Sequence, residues 1–373
     1  MISQNEREER LERLNALMER EDLDACLLIG SGAWGPKEYG YFRYFVDNRI
    51  YYYIQAFMAV KGEKPTVICG SPTHLAVLQS RGFEDILMRG DNIKNGIVET
   101  MELRGLGKAK IGFCPDTIPA SWYDLIIDSF PGACFKDISV PLYALRCERS
   151  EEEKSVVKQS AAVADNAIEA IRTLIVPGVS ENEISAELCF AMKKNKAEEC
   201  MVRLETVGMR YNGRPAIHTA FNSAHTLEQG EREFVELSCR YEGYWARCAR
   251  TALNGEADQC DGKALSAVLE ALDAGCAALK PGASLSSAAV SINSALAAKG
   301  YAPNENVGAV CGVDLCELPL ASYDGVFFEG QAVFLQAFAC ENGCGVLFGD
   351  TYLVSAEGGV RLSSSNRELV CAG

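Results

Sequence analysis

Two kinds of residue in this chain stand where chemistry would need them: a scarce imidazole, and charged groups set into otherwise apolar strands. Only three histidines occur in 373 residues. One, His218, lies in a polar crossing between two strand-like segments, Leu204-Glu-Thr-Val-Gly208 and Phe234-Val-Glu-Leu-Ser-Cys239. An imidazole can take up and return a proton near neutral pH, so His218 is the candidate acid/base, with a satisfied structural histidine as the competing reading. His74 and His225 read as surface or loop residues. Glu236 can anchor an ammonium or guanidinium, or form a buried pair with Arg247. Arg247 and Arg250 can each grip a carboxylate through two parallel hydrogen bonds. Glu317 reads as a strand-end carboxylate facing a pocket, or as part of a tight Glu317-Leu-Pro319 turn. Cys316 beside it is a candidate nucleophile with His218 as its base. Tyr244, Asp314, Tyr211 and Arg214 are further pocket candidates. Thiolates at Cys311, Cys316, Cys340 and Cys344 would suit zinc or copper(I), but they fall on strand-like segments rather than a knuckle, so no metal site is expected there.

The whole chain limits what this chemistry can serve. Its formal charge is 36 − 51 = −15, which disfavours nucleic acid or an anionic membrane surface as partner. No stretch has the length of a membrane span, and the charged start Met1-Ile-Ser-Gln-Asn-Glu lacks the apolar core of a signal peptide. Sixteen cysteines without paired spacing read as reduced thiols, so a cytoplasmic protein without a disulfide framework is expected.

Two domains are expected to position the candidates, 1–148 and 149–373. In the first, a helix over Glu6 to Arg20 precedes buried strands at Asp24-Ala-Cys-Leu-Leu-Ile-Gly30, Arg49 to Val60, Thr66-Val-Ile-Cys69 and Lys110-Ile-Gly-Phe-Cys114, with a helical stretch from His74. Strands alternating with helices predict a small α/β domain. The second opens at Arg149-Ser-Glu-Glu-Glu-Lys154, where Ser150 and Glu153 form a capping box for a long helix to Leu174. Val176-Pro-Gly-Val-Ser180 ends that helix and begins another. The phrase returns as Lys280-Pro-Gly-Ala-Ser284, again between helices and again followed by strands. Such repetition predicts an internally duplicated α+β domain. Gly358-Gly359 reads as a terminal hairpin.

The order of these phrases resembles the creatinase / Xaa-Pro aminopeptidase / prolidase family, whose C-terminal domain is the duplicated pita-bread fold. The Ser150-Glu-Glu-Glu opening, Pro177-Gly178, the His218 turn, Gly243-Tyr244 to Arg250-Thr251, Gly308 to Glu317-Leu-Pro319, Gly330 and Asp350-Thr-Tyr-Leu-Val354 all fall in family order. The resemblance implies two metal ions held by two aspartates, a histidine and two glutamates. Those positions here are Glu236, Arg247, Ala309, Gln336 and Gly349, and the proton-shuttling histidine position is Cys316. A dinuclear site is therefore not expected, and no cofactor is implied. His218 matches the histidine that metal-free, creatinase-like members keep. The aromatic position of that branch is Trp245, and Arg49 matches the arginine a neighbouring subunit lends to the pocket. The acidic residue before the motif arginine is replaced by Ala249, so the substrate of creatinase itself is not expected.

The resemblance thus implies a homodimeric, metal-independent hydrolase that cleaves a C–N bond in a small amino-acid-derived substrate, whether guanidino, amide or dipeptide-like. Its expected catalytic residues are His218, Glu317 and Cys316. Arg49, Glu236, Tyr244, Trp245, Arg247 and Gln336 would bind substrate. Two other readings stay open: an inactive pita-bread protein that binds a peptide or small ligand, and a divergent Xaa-Pro peptidase.

Overall fold

The computed structural model describes residues 2–30, 40–49, 54–206, 210–211, 214–215, 224–341 and 344–372. His218 lies outside them, as do the side chains of Tyr211, Arg214 and Cys344. The chain divides into two compact units, Met1–Glu148 and Arg149–Gly373.

The first unit begins with α1 (Gln4–Arg20), started by Ser3, whose side chain accepts from the Glu6 amide; the helix buries Leu14, Leu17 and Met18. Then come β1 (Ala25–Gly30), α2 (Gly40–Val46), β2 (Gln55–Val60), β3 (Thr66–Cys69), α3 (Pro72–Ser80), β4 (Asp85–Met88), α4 (Ile93–Leu103), β5 (Lys110–Phe113), α5 (Ala120–Ser129), β6 (Cys134–Asp137) and α6 (Ser139–Cys147). The six strands form one mixed sheet in the order β4-β3-β2-β1-β5-β6. Every residue of β1 is buried, as its unbroken apolar run requires of a central strand covered on both faces. The strand expected from Arg49 is described only from Gln55; residues 50–53 are not among the described ones.

The second unit contains α7 (Glu151–Glu169), α8 (Ile171–Leu174), α9 (Glu181–Lys194), β7 (Glu199–Thr206), β8 (Arg210–Tyr211), β9 (Arg214–Pro215), β10 (Arg232–Tyr241), β11 (Tyr244–Asn254), α10 (Gln259–Ala277), α11 (Leu285–Ala298), β12 (Gly308–Cys311), β13 (Leu318–Pro319), β14 (Ala332–Glu341), β15 (Cys344–Leu353), β16 (Val360–Arg361) and β17 (Val370–Ala372). Its large sheet runs β13-β12-β14-β15-β11-β10-β7, with β16 added to β15 and β17 to β11. The capping box of Ser150 and Glu153 forms as the sequence predicts, but the long helix breaks at Ala170 into α7 and α8. The Gly358 turn joins β15 to β16 and is followed by a further strand, β17, which the sequence reading did not anticipate.

The duplication is visible bond by bond. In the first half the Gly178 amide donates to Leu227 O, Leu227 N to Val179 O, and Glu181 N to His225 O, at 2.9–3.0 Å. In the second half Gly282 N donates to Phe327 O, Phe327 N to Ala283 O, and Leu285 N to Gly325 O, each at 2.9 Å. Each half then closes a long hairpin, β10–β11 and β14–β15, and packs helices on one side of it. The α7/α9 side buries Val202, Leu204, Val235, Leu237 and Cys248 in one core. Side chains alternate along a strand, so the residues between these point to the opposite face. That face carries the candidate site. Among the described residues, no helix is long and apolar enough to cross a membrane.

Candidate functional site

Strand register brings the polar candidates into one row. Arg203 of β7 is opposite Glu236 of β10, which is opposite Ala249 of β11; Ala249 pairs with Gly349 of β15, and Gly349 with Gln336 of β14. Directly paired residues share a face. Arg247 and Phe334 stand two residues along from members of the row and join it, and Ala309 of β12 pairs with Phe334.

Glu236 is the hub of the row. Arg247 reaches its Oε1 with Nη2 at 2.6 Å and Nε at 3.2 Å, and Arg203 reaches the same oxygen with Nη1 at 2.5 Å. Glu236 and Arg247 are buried, whereas the Arg203 side chain keeps 24% of its surface exposed. The Arg247 guanidinium also lies 4.1 Å from the centre of the Phe334 ring. Its main chain is fixed too, since Arg247 N donates to Thr351 Oγ1 and that hydroxyl donates to Arg247 O, both at 2.8 Å. Burial pushes the Glu236 carboxyl up, but the guanidinium groups of Arg247 and Arg203 outweigh it and hold Glu236 below the usual carboxylate range. Two cations against one anion leave the cluster net positive. Among the described residues Glu236 Oε2 accepts no hydrogen bond, and the two guanidinium groups have donors that none of those residues engages.

A second network lies at the β12–β13 end. Glu317 Oε1 accepts from the Val313 amide at 3.1 Å, and its Oε2 is 3.4 Å from Arg149 Nη2. Arg149 also faces Glu153 at 3.4 Å, and Glu153 accepts from the Tyr244 hydroxyl at 2.6 Å. A side chain at Gly312 would place Cβ 2.0 Å from Arg149 Nη2, so only glycine leaves room for the guanidinium. Glu317 and Tyr244 are thus linked through Arg149 and Glu153, in a buried brace that ties the start of α7 to the β12–β13 turn.

The remaining candidates divide by environment. The Trp245 amide donates to Gly312 O at 2.7 Å, and the indole lies 4.7 Å from the Arg240 guanidinium. Gln336 donates from Nε2 to Asn306 O at 3.3 Å. Both side chains are more than nine-tenths buried, and neither Trp245 Nε1 nor Gln336 Oε1 has a partner among the described residues. Trp245 is an even number of residues from Arg247, so both orphaned groups belong to strands' site face. The Cys316 thiol is raised by burial and drawn back by Arg247, while Cys311 is pushed up to about 12 by burial. Neither is a ready thiolate. Asp314 is buried, and Arg49 lies in the first unit, half-buried. Arg250 points to the helix side, where it pairs with Asp350 at 2.9 Å and holds Ser365 at 2.7 Å. His225 Nε2 meets Glu231 Oε2 at 2.9 Å in an exposed loop, and that carboxylate raises its pKa. His74 is buried within the first unit.

Arg203 and Arg149 escaped the sequence reading. Arg203 has no motif around it, and only the β7–β10 register places it on Glu236. Arg149 stands one residue before the capping box, the one available signal.

These residues do not suit a pair of divalent cations. Such ions need several oxygen ligands converging on them. Here one carboxylate, already bonded to two guanidinium groups, stands among Arg247, Ala309, Gln336 and Gly349. Gly349 has no room for a ligand side chain: a Cβ would lie 2.8 Å from Leu335 O, 2.9 Å from Gln336 Cβ and 3.0 Å from Phe334 Cε2. The Phe334 ring and the Arg247 guanidinium fill that part of the face.

Comparison with known proteins places this geometry. The sequence pattern of the metallopeptidase family M24 matches residues 155–356, and that of the creatinase/prolidase N-terminal domain matches residues 10–147. The uncharacterized peptidase YqhT of Bacillus subtilis is 25% identical over 305 residues, 80% of this chain and 84% of that protein. A Xaa-Pro dipeptidase of Pyrococcus horikoshii is 27% identical over 242 residues, 63% of this chain and 68% of that one. Among solved structures, a Xaa-Pro dipeptidase from Bacillus anthracis superposes with a TM-score of 0.79 at 24% identity, covering 98% of this chain and 99% of that chain.

Proposed function

The chain belongs to metallopeptidase family M24, a family of hydrolases, and we propose that it cleaves a C–N bond in a small, carboxylate-bearing substrate without the family's paired metal ions. The Glu236–Arg247–Arg203 cluster carries this reading, because it puts two guanidinium groups and one carboxylate across the face where family members gather metal ligands. The open guanidinium donors suit a substrate carboxylate, gripped through parallel hydrogen bonds. Glu236 Oε2 and Gln336 Oε1, neither with a hydrogen-bond partner among the described residues, accept from an N–H group of the same molecule. An amino-acid-derived amide, guanidino compound or dipeptide presents both. His218 is the proton carrier in this scheme: it takes a proton from the attacking water and returns it to the departing nitrogen. The protein acts as a homodimer in which the partner subunit's Arg49 closes the pocket.

A second reading draws on one observation. Among the described residues, the carboxylates of Glu236 and Glu317 face guanidinium groups, and the Cys316 thiol is raised, so no described group stands as an unengaged base. A cleft of that kind binds a ligand and leaves it unchanged.

Metal analysis of protein purified without chelator, beside a thermal-shift and turnover screen of guanidino compounds, amino-acid amides and Xaa-Pro dipeptides, separates the readings. The proposal expects substoichiometric metal, stabilisation by one of these classes and turnover lost in His218→Ala. Stabilisation without turnover selects the binding protein. Two tightly held ions per chain, or undiminished turnover in His218→Ala, overturn the proposal.

A further inference from the structure

The other side of the same sheet holds a pair of cysteines that the candidate chemistry does not use. Cys200 lies on β7, the edge strand, directly opposite Cys239 of β10. Arg203, three residues along, faces the site, so alternation turns Cys200 toward the helices. There α9 packs against it and contributes Cys189, with Lys193 one turn further on the same helix face. Cys189 and Cys200 pack against the same core from α9 and β7, within side-chain hydrogen-bonding reach of each other. Both residues are partly exposed, whereas Cys239 is fully buried.

The charges around the pair are few. Lys193 donates to Glu198 O at 2.7 Å, spanning the α9–β7 connection, while Glu199 is held by Arg240 at 3.2 Å. Ser185 of α9 contacts Cys189. The hydrogen bond from Cys189 and the Lys193 ammonium, opposed by burial and Glu199, bring the Cys200 thiol below its ordinary range. Cys189 moves the other way, and burial lifts Cys239 to about 12. Among the described residues no three histidine, cysteine or acidic side chains gather as a metal site, so the pair stands as a dithiol rather than a metal cradle.

We propose that Cys200 and Cys189 form a peroxide-reactive dithiol that closes to a disulfide between β7 and α9. The Cys200 thiolate attacks one oxygen of hydrogen peroxide; the O–O bond breaks, giving a Cys200 sulfenic acid and hydroxide. The Cys189 sulfur then attacks the Cys200 sulfur, the S–S bond forms, and the S–OH group leaves as water with the Cys189 proton. Two thiols lose two electrons, and one peroxide becomes two waters once hydroxide takes up the proton released when Cys200 ionised. The bridge ties α9 to the strand that carries Arg203, so the oxidation state and the Arg203–Glu236 contact share one element.

The test uses the reduced, full-length protein. Brief iodoacetamide labelling at pH 7 with peptide mass mapping should mark Cys200 about threefold faster than exposed Cys134, Cys340 or Cys371, the gain in thiolate being partly offset by its lower nucleophilicity. One equivalent of peroxide should yield a Cys189–Cys200 linked peptide that dithiothreitol removes. In Cys189→Ser, Cys200 should instead be trapped by dimedone as its sulfenic acid. No preference for Cys200 in the parent protein, or no linked peptide after peroxide, overturns the proposal, and both readouts are independent of how the variant folds.

Discussion

Replacing Glu236 by Gln tests whether this side chain is the counter-ion of two arginines or a metal ligand. The substitution keeps shape and one acceptor but removes the charge that neutralises buried Arg247 and partly exposed Arg203. Breaking a buried ion pair by deleting one partner costs about 3–5 kcal/mol. Two features place this case at the lower end: Arg203 reaches solvent, and a glutamine oxygen still accepts a hydrogen bond. A loss of about 3 kcal/mol is expected. For a unit of this size, with each kcal/mol shifting the midpoint by about 2–4 °C, that corresponds to about 6–12 °C. The assay is thermal unfolding of parent, Glu236→Gln, Arg247→Met and the double variant, each with and without chelator. The double variant should recover much of the loss, because methionine can lie over the Phe334 ring and the one guanidinium of the cluster left without Glu236, that of Arg203, reaches solvent. Chelator should leave the parent midpoint unchanged. The reasoning is refuted if Glu236→Gln melts within about 2 °C of the parent, or if chelator destabilises the parent as much as the substitution does.

Other consequences are open to measurement. Gly349→Ala should destabilise by about 2 kcal/mol, since its Cβ would press on Leu335 O and Gln336; a melt unchanged from the parent would show that the sheet yields there. Asp165 is held below the usual carboxylate range because hydrogen bonds from Ser363, Ser365 and Ser364 outweigh its burial. Asp165→Asn should cost about 1–2 kcal/mol and speed amide exchange in residues 363–372 above all. Glu236 and Asp165 both have depressed folded-state values, so the stability they add is present above their ordinary values and lost as pH falls through the folded ones. Melting midpoints should therefore fall below about pH 4, with a shallower drop in Glu236→Gln. His225 has the opposite sign: its value is raised by Glu231, so its contribution is present in acid and fades as pH rises through the folded value. His225→Gln should flatten that limb of the midpoint–pH curve.

The sequence by itself determined the local rules. The capping boxes at Ser150 and Ser180 form because a serine and a glutamate three residues on satisfy each other's amides, which needs nothing from the rest of the chain. The two Pro-Gly phrases recur because each must end one helix and start the next, and the duplicated architecture follows from them. The family resemblance picked out Glu236, Arg247, Ala309, Gln336 and Gly349 as one set by their order along the chain, and strand register gathers them on neighbouring strands. What no spacing could supply was partnership across the sheet. Arg203 meets Glu236 only because hydrogen-bonded register brings distant segments together. Glu317 and Tyr244 read as pocket residues from their motif neighbours, and tertiary packing adds partners no motif names: Arg149 as counter-charge to Glu317, and Glu153 as acceptor for the Tyr244 hydroxyl. Periodicity fixes which face a side chain takes, but its partner is set by which strand lies beside it.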